Sequence, residues 1–179
     1  MILYLLAIHI LKFWHYKEFA GKTFYEVFDI NNTLNIGVGG TKYKDWLELL
    51  DQITYFPKFK NIVLNLGFND LHYAVDSKPN NVYNHMIEVL RKINLIFDNP
   101  NIYVLNVCHS PANVALYNKE VKFNEILKKN IKKLNIHLID NSKLIKEKNC
   151  LVNVFDKDDV HLNPTGYEVM LNIIKENVK

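Results

Sequence analysis

The chain has 179 residues, of which 49% are hydrophobic and 23% are charged, and this balance is typical of a globular protein. The length suits one domain, predicted to span residues 1–179, and it is sufficient to bury a core. The net charge is only +3. Because the lysines are spread along helical stretches without interleaved aromatic residues, we expect no nucleic-acid partner.

The two cysteines and the apolar start bear on location. Cys108 and Cys150 stand outside CxxC and zinc-ligand spacings, which favours a reduced, cytoplasmic protein. The start, "MILYLLAIHILKFW", lacks the basic region and the cleavage site of a signal peptide. Its apolar run stops at Lys12, too soon to span a membrane, and we interpret it as a buried strand.

Short apolar runs alternate with longer amphipathic stretches along the chain. Unbroken apolar runs are typical of strands that are covered on both faces. They predict strands at residues 1–8, 34–38, 61–67, 101–107 and 135–140. Helical spacing of apolar residues predicts helices at residues 46–53, 82–97 and 123–134, and a last one after Asn163-Pro164, a cap followed by a first-turn proline. The alternation indicates an α/β fold with a five-stranded parallel sheet.

Three loops contain residues suited to chemistry, and ligands of parallel sheets bind beyond the carboxyl ends of the strands. The glycines of "NIGVGG", residues 35–40, allow a ligand to approach backbone N–H groups. "LGFNDLH" offers the amide of Asn69, and "DDVHLNPTGY" offers Asp158 and His161, which can pair as a base and its orienting carboxylate. Each motif alone also fits a purely structural turn.

Together the three loops supply most of an acyl-transfer site, with two donors for an oxyanion and an imidazole–carboxylate pair to move a proton. We interpret Asp70 as structural, an acceptor for loop N–H groups. The remaining histidines show no metal-ligand spacing, and we interpret them as surface or loop residues. These are His15, His72, His85, His109 and His137. Lining the pocket is the alternative role for His72 and His109, as it is for Phe68 and Tyr73.

These motifs, in this order, resemble those of the SGNH or GDSL hydrolases, which are flavodoxin-like, three-layer α/β/α esterases, lipases and deacetylases. "NIGVGG" is similar to their glycine block, "GFND" to their asparagine block and "DDVH" to their D-x-x-H block. The resemblance implies that Gly40 and Asn69 donate to the oxyanion, that His161 is the general base and that Asp158 orients it. It also implies a small-molecule, carbohydrate or lipid ester as substrate, and no metal or organic cofactor.

The first block of that family, Gly-Asp-Ser after the first strand, is missing from this chain. Alignment on Trp14 places Ala7, Ile8 and His9 at its positions, so the nucleophilic serine is replaced by an imidazole. Other hydroxyl-bearing residues lie on different loops, and none has the strand-end position that the resemblance requires. They are Thr41, Ser77 and Ser110.

A shift of reading frame is one explanation for the missing block. Residues 4–9 can be encoded by TAT TTA TTG GCG ATT CAT, which reads Phe-Ile-Gly-Asp-Ser from its third base. We therefore predict an esterase by ancestry with impaired turnover. The alternatives are a non-catalytic protein that binds an acylated sugar or lipid, and a doubly wound domain whose matching loops are structural. In the last case Asp158 and His161 would not meet.

Overall fold

The computed structural model describes residues 3–4, 20–28, 33–53, 59–141 and 153–179. Within them, four strands form one parallel sheet in chain order: β1 (Leu3–Tyr4), β2 (Asn61–Leu64), β3 (Asn101–Leu105) and β4 (His137–Ile139). The helices are α1 (Phe24–Val27), α2 (Tyr43–Gln52), α3 (Phe68–Tyr73), α4 (Pro79–Ile96), α5 (Tyr117–Leu134), which follows a 3-10 helix (Pro111–Leu116), and α6 (Pro164–Asn177). The predicted α/β class with a parallel sheet is confirmed.

The fifth predicted strand, at residues 34–38, is reduced to a single bridge residue, Asn35. The side chain of Asn35 accepts a hydrogen bond from the N–H of Gly37 at 2.9 Å, and such a local turn competes with strand pairing. Of the strand predicted at residues 1–8, only β1 is described, and the rest lies outside the described residues. Among the described helices, none combines the length and apolar character needed to cross a membrane.

Helices cover both faces of the sheet. Successive residues of a strand point to opposite faces, so a strand such as β2 contributes side chains to two separate core clusters. Ile62 and Leu64 of β2 pack in a core cluster with residues of α2, α4 and α5. Val63, between them, packs in a second cluster with residues of α1 and α6. All three side chains are buried, which explains why the strand reads as an unbroken apolar run.

The turn between β2 and α3 depends on Gly67. Its φ is +109°, a left-handed conformation that glycine adopts without steric penalty. A Cβ atom at this position would lie 3.0 Å from the side chain of Val107. The tight turn starts α3, and with it Asn69, directly beyond the carboxyl end of β2.

The start of α6 follows the prediction. The side chain of Asn163 accepts a hydrogen bond from the N–H of Gly166 at 3.0 Å, and Pro164 occupies the first turn. The amide of Asn163 also donates to the carbonyls of Asn153 and Phe155, at 2.8 and 2.9 Å. This side chain therefore fixes the preceding loop, which carries Asp158 and His161, to the start of the helix.

Candidate active site

Asp158 and His161 meet in the structure. Oδ2 of Asp158 lies 2.5 Å from Nδ1 of His161, and Oδ1 accepts the backbone N–H groups of Val160 and His161 at 2.9 Å each. Because Asp158 occupies Nδ1, it fixes both the tautomer and the orientation of the ring. Nε2, the nitrogen that faces away from Asp158, is buried. The expectation that Asp158 and His161 do not meet, which followed from a purely structural role of the matching loops, is wrong.

The charge of Asp158 suits the role of an orienting carboxylate. Partial burial acts to raise its pKa, but hydrogen bonds from the ring and backbone of His161 and from the backbone of Val160 outweigh that effect and lower the pKa to about 2. The carboxylate is therefore ionised at neutral pH. An ionised partner at Nδ1 stabilises the imidazolium that forms when Nε2 accepts a proton.

The loop that carries Asp158 is fixed to a neighbouring loop. The carbonyl of Asp159 accepts the hydroxyl of Ser110 at 2.7 Å and the N–H of Ala112 at 3.4 Å. Ser110 follows β3, so the bond joins the D-x-x-H segment to the carboxyl edge of the sheet. Further along, Phe155 and Leu162 form an isolated antiparallel bridge that closes the base of the loop.

Asn69 and the glycine loop lie side by side. Asn69 is 3% exposed in the first turn of α3, and its Nδ2 donates to the carbonyl of Thr41 at 3.1 Å. Thr41 directly follows Gly40, whose φ is +82° and whose missing Cβ would have no atom within 4 Å. Since a side-chain amide carries two hydrogens, the second N–H of Asn69 can donate to a ligand placed in the open space at Gly40.

Asp70 is structural, as predicted. Both carboxylate oxygens accept the N–H of Tyr43, at 3.1 and 3.3 Å, which is one of the unpaired donors at the start of α2. Burial raises the pKa of Asp70 to about 6 even though this hydrogen bond acts to lower it. The contact joins α3 to the start of α2 and thereby places Asn69 against the glycine loop.

Other hydroxyl and thiol groups near the strand ends are engaged in the scaffold. The hydroxyl of Thr41 donates to the carbonyl of Val38 at 2.8 Å, and that of Ser110 is 1% exposed and bonded to the loop at residue 159. Burial, and then the charge of Glu120, raise the pKa of Cys108 to about 12, so its thiol is a poor nucleophile. Position 9, where the resemblance expects the nucleophile, lies outside the described residues.

A buried carboxylate, Glu120, was not identified from the sequence. It lies in the first turn of α5 with its side chain 2% exposed, and it contacts Nε2 of His72 at 2.6 Å and also Nδ1 of His109. The interpretation of His72 as a surface or loop residue is wrong, because its side chain is fully buried on α3. Across the described segments, no group of three or more His, Cys, Asp or Glu side chains is arranged to hold a metal ion.

Comparison with known proteins agrees with the fold. The chain matches the GDSL-like lipase/acylhydrolase family over residues 16–169, and it belongs to that family. The matched range contains Gly40, Asn69, Asp158 and His161. The predicted family resemblance is therefore confirmed. No match was found among the curated proteins.

Several solved structures share the fold. A GDSL-like lipase from Bacteroides thetaiotaomicron superposes with a TM-score of 0.76 at 17% identity, over 97% of this chain and 85% of its own. A member of the lipolytic G-D-S-L family from Veillonella parvula gives 0.75 at 18% identity, over 97% and 96%. An acetyl xylan esterase, AlAXEase, gives 0.75 at 15% identity, over 99% of each chain. At these identities the likeness establishes the α/β fold.

Proposed function

We propose that this chain derives from a serine esterase of the SGNH type and retains its proton-transfer and oxyanion-binding parts, while its turnover is impaired because the serine is missing. The observation that carries the proposal is the contact of Nδ1 of His161 with Oδ2 of Asp158, at 2.5 Å. The family match begins at residue 16, beyond His9, which fits the loss of the Gly-Asp-Ser block. Membership of an acylhydrolase family supports an ester as the ligand.

In a chain with an intact block, the serine hydroxyl attacks the ester carbonyl while Nε2 of His161 accepts its proton. Asp158 stabilises the resulting imidazolium. The N–H of Gly40 and the second N–H of Asn69 donate to the oxyanion of the tetrahedral intermediate. The proton on His161 then passes to the leaving alkoxide, and a water molecule, activated by the same ring, hydrolyses the acyl-serine. No step requires a metal or an organic cofactor.

The contact of Asn69 with Thr41, at 3.1 Å, supports the oxyanion part of the proposal. It orients one N–H of the amide toward the glycine loop and thereby fixes the direction of the other. The five-stranded SGNH architecture remains part of the proposal. We also propose that the protein works in the cytoplasm, which is supported by the positions of Cys108 and Cys150 outside CxxC and zinc-ligand spacings.

Restoring the nucleophile block tests the proposal directly. The triple substitution Ala7→Gly, Ile8→Asp and His9→Ser should raise hydrolysis of p-nitrophenyl acetate by about a thousandfold or more, because removing triad members in serine hydrolases lowers turnover by larger factors. Adding His161→Ala to the restored chain should abolish the gain, whereas adding His137→Ala, on β4, should not. A folded but inactive restored chain would contradict the proposal, as would an ordinary esterase rate in the natural chain that His161→Ala leaves unchanged.

The coding DNA gives an independent test of the missing serine. Codons 4–9 that read Gly-Asp-Ser in another frame indicate a frame-shifted copy of the block. Codons that exclude this reading leave the second candidate, a non-catalytic protein that keeps the pocket for an acylated sugar or lipid. That candidate is favoured by the intact contacts of Asn69 and Asp158 in a chain without the serine. It predicts saturable binding of an acetylated sugar without turnover, lost on Asn69→Ala.

A further inference from the structure

Glu120 forms a second imidazole–carboxylate cluster, outside the residues of the proposed mechanism. Its two oxygens contact one ring each, Oε1 to Nε2 of His72 at 2.6 Å and Oε2 to Nδ1 of His109. The carboxylate is 2% exposed, and a buried carboxylate is maintained only where hydrogen-bond donors compensate its lost hydration. The two histidines supply those donors.

The contacts restrict which nitrogen of each ring can carry a hydrogen. An ionised carboxylate only accepts hydrogen bonds, so with Glu120 as the acceptor, Nε2 of His72 and Nδ1 of His109 are the donors. In neutral His109 the lone pair then lies on Nε2, which faces away from Glu120. The ring of His109 is 17% exposed, whereas that of His72 is fully buried and its Nδ1 has no partner within the described segments. His109 is therefore the outward-facing member of the cluster.

The cluster lies at the edge of the sheet where the candidate active site lies. His72 is on α3, which follows β2 and carries Asn69, and His109 follows the adjacent parallel strand β3. The residue after His109, Ser110, bonds to the carbonyl of Asp159 at 2.7 Å. Ligands of such sheets bind at this edge, so His109 lies beside the loops that carry the proposed catalytic groups.

Three aromatic rings lie against the two histidines, and two of them are exposed. Tyr117, which is 44% exposed, packs edge-to-face against His109 with ring centroids 4.1 Å apart. Tyr73, which is 63% exposed, lies 5.9 Å from His72, and Phe68 stacks on His72 at 4.0 Å. A tyrosine offers a flat apolar face and a polar tip. Combined with a hydrogen-bond acceptor, such rings suit a ligand that has both apolar ring faces and hydroxyl groups.

We propose that Nε2 of His109 accepts a hydrogen bond from a ligand hydroxyl beside the ring of Tyr117, and that the ligand is a carbohydrate. Glu120 and His72 are positioning residues that hold the His109 ring in one tautomer. This assignment rests on the proposed function, because it places the ligand beside the proposed catalytic loops. It names the class of substrate that this site would bind. Binding itself requires neither the missing serine nor His161.

Two-dimensional ¹H–¹⁵N spectra of the histidine rings in the natural full-length chain test the proposal. At mildly basic pH, His109 should show a single tautomer with hydrogen on Nδ1, and Glu120→Gln should remove that preference. Titration with xylotriose, cellotriose and chitotriose should shift the Nε2 signal of His109 in a saturable manner with at least one sugar. A hydrogen on Nε2 of His109, or no saturable shift with any of the three sugars, would overturn it.

Variants separate this site from the proposed mechanism. His109→Phe or Tyr117→Ala should weaken sugar binding roughly tenfold, the effect of losing one hydrogen bond or one ring contact. His137→Gln, at the amino end of β4, is the matched control and should bind as the natural chain does. Sugar binding that persists while the serine-restored chain fails to hydrolyse esters contradicts only the proposed function. Restored hydrolysis without any sugar binding contradicts only this inference.

Discussion

Replacing Asp70 by asparagine removes a buried titrating group and should change how stability depends on pH. Asp70 is 2% exposed, and burial raises its pKa from 3.8 to about 6. In the unfolded chain the carboxyl ionises near its ordinary pKa, about 4. Between these two values the folded state holds a proton that the unfolded state has released, so rising pH favours unfolding.

The size of the effect follows from the pKa difference of about two units, at about 1.4 kcal/mol each. The contribution of Asp70 to the free energy of unfolding is fully present below about pH 4, falls by roughly 3 kcal/mol as the pH rises to about 6, and is constant above that. Asparagine does not titrate, and its oxygen can still accept the N–H of Tyr43. Its NH₂ group takes the place of the oxygen that is 3.3 Å from that N–H, which changes the free energy of unfolding by the same amount at every pH. The prediction therefore concerns how the free energy of unfolding varies with pH, not its value at one pH.

Urea denaturation of the natural chain and of Asp70→Asn at pH 4, 5, 6 and 7 measures the slope. Because the unfolded-state carboxyl is already about half ionised at pH 4, the natural chain should lose roughly 2 kcal/mol relative to the variant over this range. Asp51→Asn is a control for the loss of a carboxylate at an exposed position, because Asp51 is 68% exposed. Parallel curves for the natural chain and Asp70→Asn would refute the reasoning. So would a natural chain that gains stability relative to the variant as the pH rises, since hydrogen bonds would then outweigh burial.

Two substitutions at the start of α6 test the support of the D-x-x-H loop. Gly166→Ala places a Cβ atom 2.2 Å from the carbonyl oxygen of Val154, and the overlap should lower the free energy of unfolding by about 1–3 kcal/mol in urea denaturation. Asn163→Ala removes the cap and two donated hydrogen bonds and should lower it by about 1–2 kcal/mol, seen as a reduced melting temperature. Exposed Thr165, replaced by alanine, is the control for both, and variants as stable as this control would contradict the assigned contacts.

Features of the fold that were predictable from the sequence arise from local patterns. The strands β2 and β3 are apolar runs in the sequence because both of their faces are buried. The start of α6 is predictable because the cap residue Asn163 and the first-turn residue Pro164 are adjacent in the sequence. The pairing of Asp158 with His161 is local as well, since only three residues separate them. By contrast, of the strand predicted at residues 34–38 only Asn35 takes part in a bridge, and its side chain accepts the N–H of Gly37 in a turn.

Contacts between distant segments were not predictable in the same way. Glu120 stands in a lysine-rich amphipathic helix, where one more charged residue gives no signal of burial. Its partners His72 and His109 lie 48 and 11 residues away, so only the packing of α3 against α5 identifies it. The bond from Asn69 to Thr41 likewise spans 28 residues, and the motif order indicated its neighbourhood but not its partner.

Two contacts that support the candidate site are formed by residues far along the chain from position 9. Asn69 is held by the carbonyl of Thr41, and the D-x-x-H loop is held by the bond of Ser110 to the carbonyl of Asp159. Neither contact uses a side chain from the first 19 residues. Under the proposed function, the loss of a serine near residue 9 leaves these two contacts in place, because neither involves a side chain of that segment. A restored Gly-Asp-Ser block would then meet Asn69 and His161 in loops that these contacts already hold.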